Sequence, residues 1–178
     1  MSIRIFSVLF IVVMLLGCAG MNTDCAKKTN IWEIARDKRF IAYSDGTVFD
    51  KRTNLMWAAK DNGSDINWAA AKVYCENYRG GGYNDWRMPT LDELEELYDE
   101  RNPRPAKCSD GDNIRFATGL IDISCFYLWA SETSVTTNES AIFSFGAGIR
   151  TAFTSRFNHF GRVLPVRSLE GLYLVIPE

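Results

Sequence analysis

The spacing of hydrophobic and polar residues changes several times along the chain. These changes predict strands, then helices, then strands again. Short apolar runs bounded by turn residues predict three early strands, at residues 40–43, 47–50 and 54–57. Asp45-Gly46 between the first two is a hairpin signal. Residues 31–39 alternate apolar and charged side chains and fit either a short helix or an edge strand. The expected inward-facing residues of this unit are Val48, Leu55 and Trp57.

Two later segments carry apolar residues at the spacing of amphipathic helices. The first covers residues 68–78, with Asn67 as its N-cap. The second runs from residue 91 to about 101, and Thr90 with Glu93 forms the capping-box pattern at its start. The apolar stripes are Trp68, Ala71, Cys75 and Tyr78 in the first helix, and Leu91, Leu94, Leu97 and Tyr98 in the second.

The turn between these helices combines glycines, an aromatic side chain and a proline. Gly80–Gly82 allow a positive φ that ends the first helix, and Pro89 directs the chain into the second. The fold motif comprises Asp85, Trp86, Arg87, Pro89 and Thr90. A large indole between two opposite charges predicts a buried anchor beside a salt link. We interpret this motif as holding the fold rather than performing chemistry.

The last part of the chain is predicted to be rich in strands. Residues 106–124 read as a long irregular insert. Four strands are then expected, at residues 126–131, 140–148, 151–157 and 162–167, followed by a short strand in the tail, 169–176. Together with the helices, these strands predict a single α+β domain with long loops.

The N-terminus has the pattern of an export signal. Arg4 precedes an apolar run, residues 5–16, that is too short for a transmembrane helix of about 20 residues. The run ends in Leu15-Leu16-Gly17-Cys18-Ala19, which resembles the bacterial lipobox, in which the cysteine is acylated. We therefore expect a signal peptide at 1–17, a lipidated tether at 18–30 beginning at Cys18, and a domain at 31–178. By the same resemblance, Ala19 implies the bacterial outer membrane, on either face.

Charge and cysteine content add two constraints. The formal net charge is −2, and residues 1–17 contain one arginine and no acid, so the remaining chain carries −3 and offers no field that would attract nucleic acid. Export and four further cysteines favour disulfides. Cys108 with Cys125 is the favoured pair. Cys75 either pairs with Cys25 or stays a buried thiol.

Five motifs in a fixed order resemble a known family. They run from Asp45 to Trp57, from Trp68 to Cys75, from Gly82 to Leu94, from Tyr127 to Ser131, and from Gly161 to Arg167. Together they resemble the C-terminal domain of the Legionella collagen-like adhesin, a domain of unknown function found in exported bacterial proteins. The resemblance implies a C-type-lectin-like fold, with two helices packed on a small twisted antiparallel sheet with long loops.

The chain departs from the family pattern at Pro165, where relatives often carry a cysteine that would pair with a helix cysteine such as Cys75. The related formylglycine-generating enzymes use paired cysteines near the end of the domain, and no cysteine follows Cys125. The chain also lacks hydrolase, zinc-protease and phosphate-loop motifs. We therefore expect no catalytic residues, and an enzyme is the less favoured alternative.

The expected function is binding or adhesion through a lectin-like domain. The candidate ligand-binding residues, suited to an acidic glycan or an envelope protein, are Arg150, Arg156, His159 and Arg162. A structural role, in which the domain docks on a protein partner, is the alternative. No cofactor or metal is expected. Calcium at Asp110, Asp112 and Asn113 is a weak alternative, because these residues lack the spacing and the closing acid of a calcium loop.

Overall fold

The computed structural model describes residues 31–134, 136–154 and 161–169. The expected signal peptide, the tether with Cys18 and Cys25, the residues Arg156 and His159, and the tail beyond 169 lie outside the described residues. No helix within the described ranges is long and apolar enough to span a bilayer.

The described residues form ten strands and two short α-helices, which confirms the α+β class. The helices are α1 (Trp68–Asn77) and α2 (Leu91–Glu95). The strands are β1 (Glu33–Asp37), β2 (Phe40–Tyr43), β3 (Thr47–Asp50), β4 (Leu55–Ala58), β5 (Pro103–Pro105), β6 (Asn113–Arg115), β7 (Tyr127–Ser134), β8 (Glu139–Ser144), β9 (Ile149–Thr154) and β10 (Val166–Ser168).

The strands are divided among three antiparallel sheets rather than the one small sheet that the family resemblance implies. The largest has the order β1-β2-β3-β4-β10, so its edge β10 comes from the far end of the chain. A second sheet has the order β7-β8-β9, and β5 pairs with β6 in a third. Residues 31–39 thus contain an edge strand, and the insert at 106–124 is not wholly irregular, because β6 lies within it.

Both helices begin where the sequence predicts, since their caps are local. The Asn67 side chain accepts a hydrogen bond from the backbone N–H of Ala70 at 2.8 Å, and Thr90 with Glu93 forms a full capping box. The second helix is shorter than expected, ending at Glu95 rather than near 101. The Leu97 carbonyl accepts a hydrogen bond from the Ala117 N–H at 2.7 Å, so the chain leaves the helix to meet the insert.

The core has two clusters of buried side chains. The larger cluster lies among the five-stranded sheet, α2 and the insert, and includes Val48, Leu55 and Trp57, which face inward as predicted. The smaller cluster joins α1 to the three-stranded sheet around Trp129 and Ile142. Helix α2 packs in the larger cluster, and α1 packs in the smaller one.

A disulfide joins Cys108 to Cys125, as the sequence predicts. It closes the insert that carries β6 and holds its two ends together. Cys75 is a buried free thiol on the inner face of α1, which corresponds to the second alternative for this residue. Burial raises the pKa of Cys75 to about 12.

Candidate ligand-binding cleft

Residues 85–90, here called the tryptophan corner, connect the two helices. Trp86 is buried, with 3% of its surface exposed. Its indole N–H donates to the Gly80 carbonyl at 3.0 Å, and the Tyr78 ring meets its ring edge-on at 5.1 Å between centroids. Gly81 adopts φ +65°, and a Cβ there would meet the Thr47 side chain at 2.8 Å, so the turn requires glycine. The indole is the anchor that the sequence predicts.

The charges beside the indole do not pair with each other, which corrects the expected Asp85–Arg87 salt link. Asp85 instead accepts two hydrogen bonds from Arg167 of β10, at 2.6 and 2.9 Å, and these lower the pKa of its carboxyl. Arg87 donates to both carboxylate oxygens of Glu93, at 2.8 and 2.6 Å. Burial raises the pKa of Glu93, but the bonds from Arg87 and the Thr90 backbone outweigh burial and lower it overall.

The backbone of the corner bonds to two sheets. Arg87 and Val166 exchange N–H···O=C hydrogen bonds of 2.8 and 3.0 Å, which joins the corner to β10. The Ser131 N–H donates to the Pro89 carbonyl at 2.8 Å, which joins the corner to β7. The corner therefore sets the position of α1 relative to both sheets.

A cleft of about 310 Å³ opens where α1, the corner and β7 meet, and most of its lining surface is apolar. This is the setting in which ligand sites of proteins are commonly found. The lining side chains are Trp68, Lys72 and Glu76 of α1, Arg87, Met88 and Thr90 of the corner, and Ser131 of β7.

Trp68 has a fixed orientation in the cleft. Its indole N–H donates to the Ala130 carbonyl at 2.7 Å, and the partly buried ring lies along the cleft wall. The ammonium group of Lys72, one turn along the helix, lies 5.9 Å from the centre of that ring. The arrangement places an aromatic surface beside a cation, and Thr90 and Ser131 also line the cleft.

The arginines predicted to bind ligand have different surroundings. Arg162 is 9% exposed, pairs with Asp65, and donates to the Ser124 hydroxyl at 3.1 Å, so it serves the fold rather than a binding surface. Arg150 is exposed and pairs with Asp92 at 2.7 Å and with Glu95, and these partners raise its pKa. The two arginines thus have separate acidic partners, and the other two residues of the predicted patch lie outside the described residues.

The residues named for the weak calcium alternative lie at the surface of the insert. Asp110, Asp112 and Asn113 are exposed, and Asp112 accepts a hydrogen bond from the Ser109 hydroxyl at 2.6 Å. No group of three or more histidine, cysteine, aspartate or glutamate side chains in the described part of the chain is arranged to hold a metal ion.

Comparison with known families agrees with the order of motifs. Residues 46–167 match the family model described as the Lcl C-terminal domain. The chain belongs to this family. The match spans every residue that lines the cleft and both members of the disulfide, whereas β1 precedes it. The chain matches no curated protein and no solved structure.

The sequence does not reveal the cleft, because each of its parts has a structural interpretation in isolation. Trp68 reads as part of the buried stripe of α1, and Thr90 reads as a helix cap. A local signal was present in Trp68 and Lys72, which lie four residues apart on one helix face. The position of Ser131 in the cleft could not be predicted from neighbouring residues, because it depends on the hydrogen bond between β7 and the tryptophan corner.

Proposed function

We propose that this protein is an exported, lipid-anchored envelope protein whose Lcl C-terminal domain acts in adhesion by binding a ligand without catalysis. The export pattern ending at Cys18 supports the anchor, and the family supports an adhesin-related role. The proposal includes a C-type-lectin-like arrangement of the two helices, which the motif order supports. The ligand class is a glycan that carries acidic groups.

The observation that carries this proposal is the cleft beside Trp68. An indole held at its N–H end leaves its ring surface available to the apolar C–H face of a sugar ring. Lys72 places a positive charge beside that ring, whereas Arg87 is paired with Glu93 and Glu76 adds a carboxylate to the lining. A sugar ring with a carboxylate or sulfate substituent satisfies both features.

Binding of the purified protein to an array of neutral and acidic glycans tests the proposal. Lys72→Glu reverses a charge at the cleft while leaving the packed core untouched, because Lys72 is exposed. We expect it to weaken binding of acidic glycans by about tenfold or more, which corresponds to the loss of one charge-assisted hydrogen bond. The matched control is Lys51→Glu, at an exposed lysine in the β3–β4 turn, which we expect to bind as wild type does.

Two results would contradict the glycan proposal. One is equal binding by wild type, Lys72→Glu and Lys51→Glu, which would place any glycan site away from the cleft. The other is the absence of glycan binding together with capture of a defined envelope protein, which would support the alternative of a structural domain docked on a protein partner.

A further inference from the structure

Three large apolar side chains are exposed within four consecutive residues at the start of the domain. Ile31, Trp32 and Ile34, here called the N-terminal patch, expose 41%, 62% and 60% of their surfaces. The other large apolar side chains exposed in the described ranges, Val73 and Ile149, lie singly on α1 and β9. A concentrated patch of this kind on a small domain indicates a contact surface.

The patch lies on ordered backbone. The Trp32 carbonyl accepts a hydrogen bond from the Ser44 N–H at 2.9 Å, and the Trp32 N–H donates to the Ser44 hydroxyl at 3.3 Å. Ile34 belongs to β1, which pairs with β2 at the edge of the five-stranded sheet. The domain thus holds the main chain in place while the apolar side chains extend into solvent.

The sequence before the patch indicates what it meets. Residues 19–30 separate Cys18 from Ile31, so only a short stretch of sequence lies between the expected acylation site and the patch. Lys27 and Lys28 directly precede it, and lysines beside tryptophan and isoleucine are typical of segments that lie in the interface of anionic membranes. Two copies meeting symmetrically through this segment would bring these lysines close to each other.

We propose that the N-terminal patch inserts into the headgroup region of the bilayer that holds the acyl chains of Cys18. This rests on the lipid anchor in the proposed function. The tether supplies a high local concentration of the bilayer, so a patch of three side chains is sufficient for docking. Docking fixes the orientation of the domain by placing the β1 edge against the membrane. Because β1 precedes the family match at 46–167, this contact is a property of the chain beyond its shared domain.

The test uses the mature acylated protein, beginning at Cys18, in vesicles of phosphatidylethanolamine and phosphatidylglycerol, made with or without brominated acyl chains that quench nearby tryptophans. Of the five tryptophans, Trp57, Trp86 and Trp129 are at most 3% exposed. We expect brominated lipid to quench wild type, and Trp32→Phe to lose most of that quenching. Trp68→Phe is the matched control and should retain it. Ile31→Ser with Ile34→Ser, which keeps Trp32, should reduce the quenching several-fold.

The outcomes separate the patch from the anchor. Flotation of wild type with the vesicles and quenching that does not change in Trp32→Phe would overturn the patch while leaving the anchor intact. Failure of wild type to float, with no acyl mass on Cys18, would overturn the anchor and the patch together. A loss of quenching that grows with the protein-to-lipid ratio would show that a second copy of the protein covers the patch. That result would also overturn the proposal.

Discussion

The Arg167 guanidinium is bound by the Asp85 carboxylate through two hydrogen bonds, at 2.6 and 2.9 Å, although the residues lie 82 positions apart. The same guanidinium lies 3.9 Å from the centre of the Tyr83 ring, and the side chain is only 4% exposed. One side chain of the last described strand thereby fixes the turn between the helices. This contact joins the turn in the middle of the chain to its last described strand through a planar group with a defined orientation.

Replacing Arg167 by lysine should destabilise the domain by about 1–2 kcal/mol, since lysine keeps the charge but loses the two-pronged contact and the stacking. Urea unfolding followed by tryptophan fluorescence measures the change. Arg36→Lys is the control, because Arg36 pairs with Glu33 at the surface and should change stability by less than about 0.5 kcal/mol. Equal effects of the two substitutions would contradict the role assigned to Arg167.

Acid should destabilise the domain through Asp85 and Glu93. Hydrogen bonds from Arg167 lower the pKa of Asp85, and those from Arg87 and Thr90 outweigh burial and lower the pKa of Glu93, from ordinary values of 3.8 and 4.5. The folded state therefore binds these protons less readily than the unfolded state does. Their stabilisation is complete above pH 4.5 and declines as the pH falls below these ordinary values.

Unfolding midpoints in urea between pH 7 and pH 3 check this dependence. Asp85→Asn should be less stable than wild type at pH 7 and should lose less stability on acidification. A wild-type and Asp85→Asn pair that responds identically to acid would contradict the contribution of this carboxylate.

Removing the disulfide with Cys108→Ser and Cys125→Ser should cost about 3 kcal/mol, because the bridge restricts a loop of 17 residues in the unfolded chain. Limited proteolysis should then cut within residues 109–124 before it cuts elsewhere. Ala71→Ser, at a buried position of α1, is a control for general destabilisation and should not direct cleavage to the insert. Cleavage at the same first site in all variants would contradict this prediction.

The Cys75 thiol should be unreactive while the domain is folded. With its pKa raised to about 12, the thiolate is a negligible fraction near neutral pH. Iodoacetamide followed by peptide mass spectrometry should label Cys75 only after unfolding in urea. A peptide containing Cys75 linked to Cys25 would contradict the free thiol.

The features that the sequence predicts correctly are those determined by neighbouring residues. Asn67 caps α1 and Thr90 caps α2 through contacts three residues away. Gly46 adopts φ +80° in the hairpin that Asp45-Gly46 signals. The indole of Trp86 is buried because the glycines and Pro89 around it turn the chain tightly. In each case the determining residues are near neighbours in sequence.

The features that the sequence does not predict depend on distant residues. The partner of Asp85 is in β10, and the chain just after α2 bonds to Ala117 of the insert. The division of the strands into three sheets cannot be predicted from the hydrophobic period of any one segment. The cleft has the same origin, since its walls come from three elements that are separate in sequence. Periodicity shows which face of an element is apolar but not which element will cover it.

The placement of β10 beside β4 has a consequence for how the chain matures. The central sheet cannot be completed until the residues of β10 have been synthesised, so a growing chain retains an open edge on β4, the strand that contains Trp57. Until β10 covers it, that edge is available for pairing with another chain. Under the proposed export, the sheet would close only after β10 has also crossed the membrane.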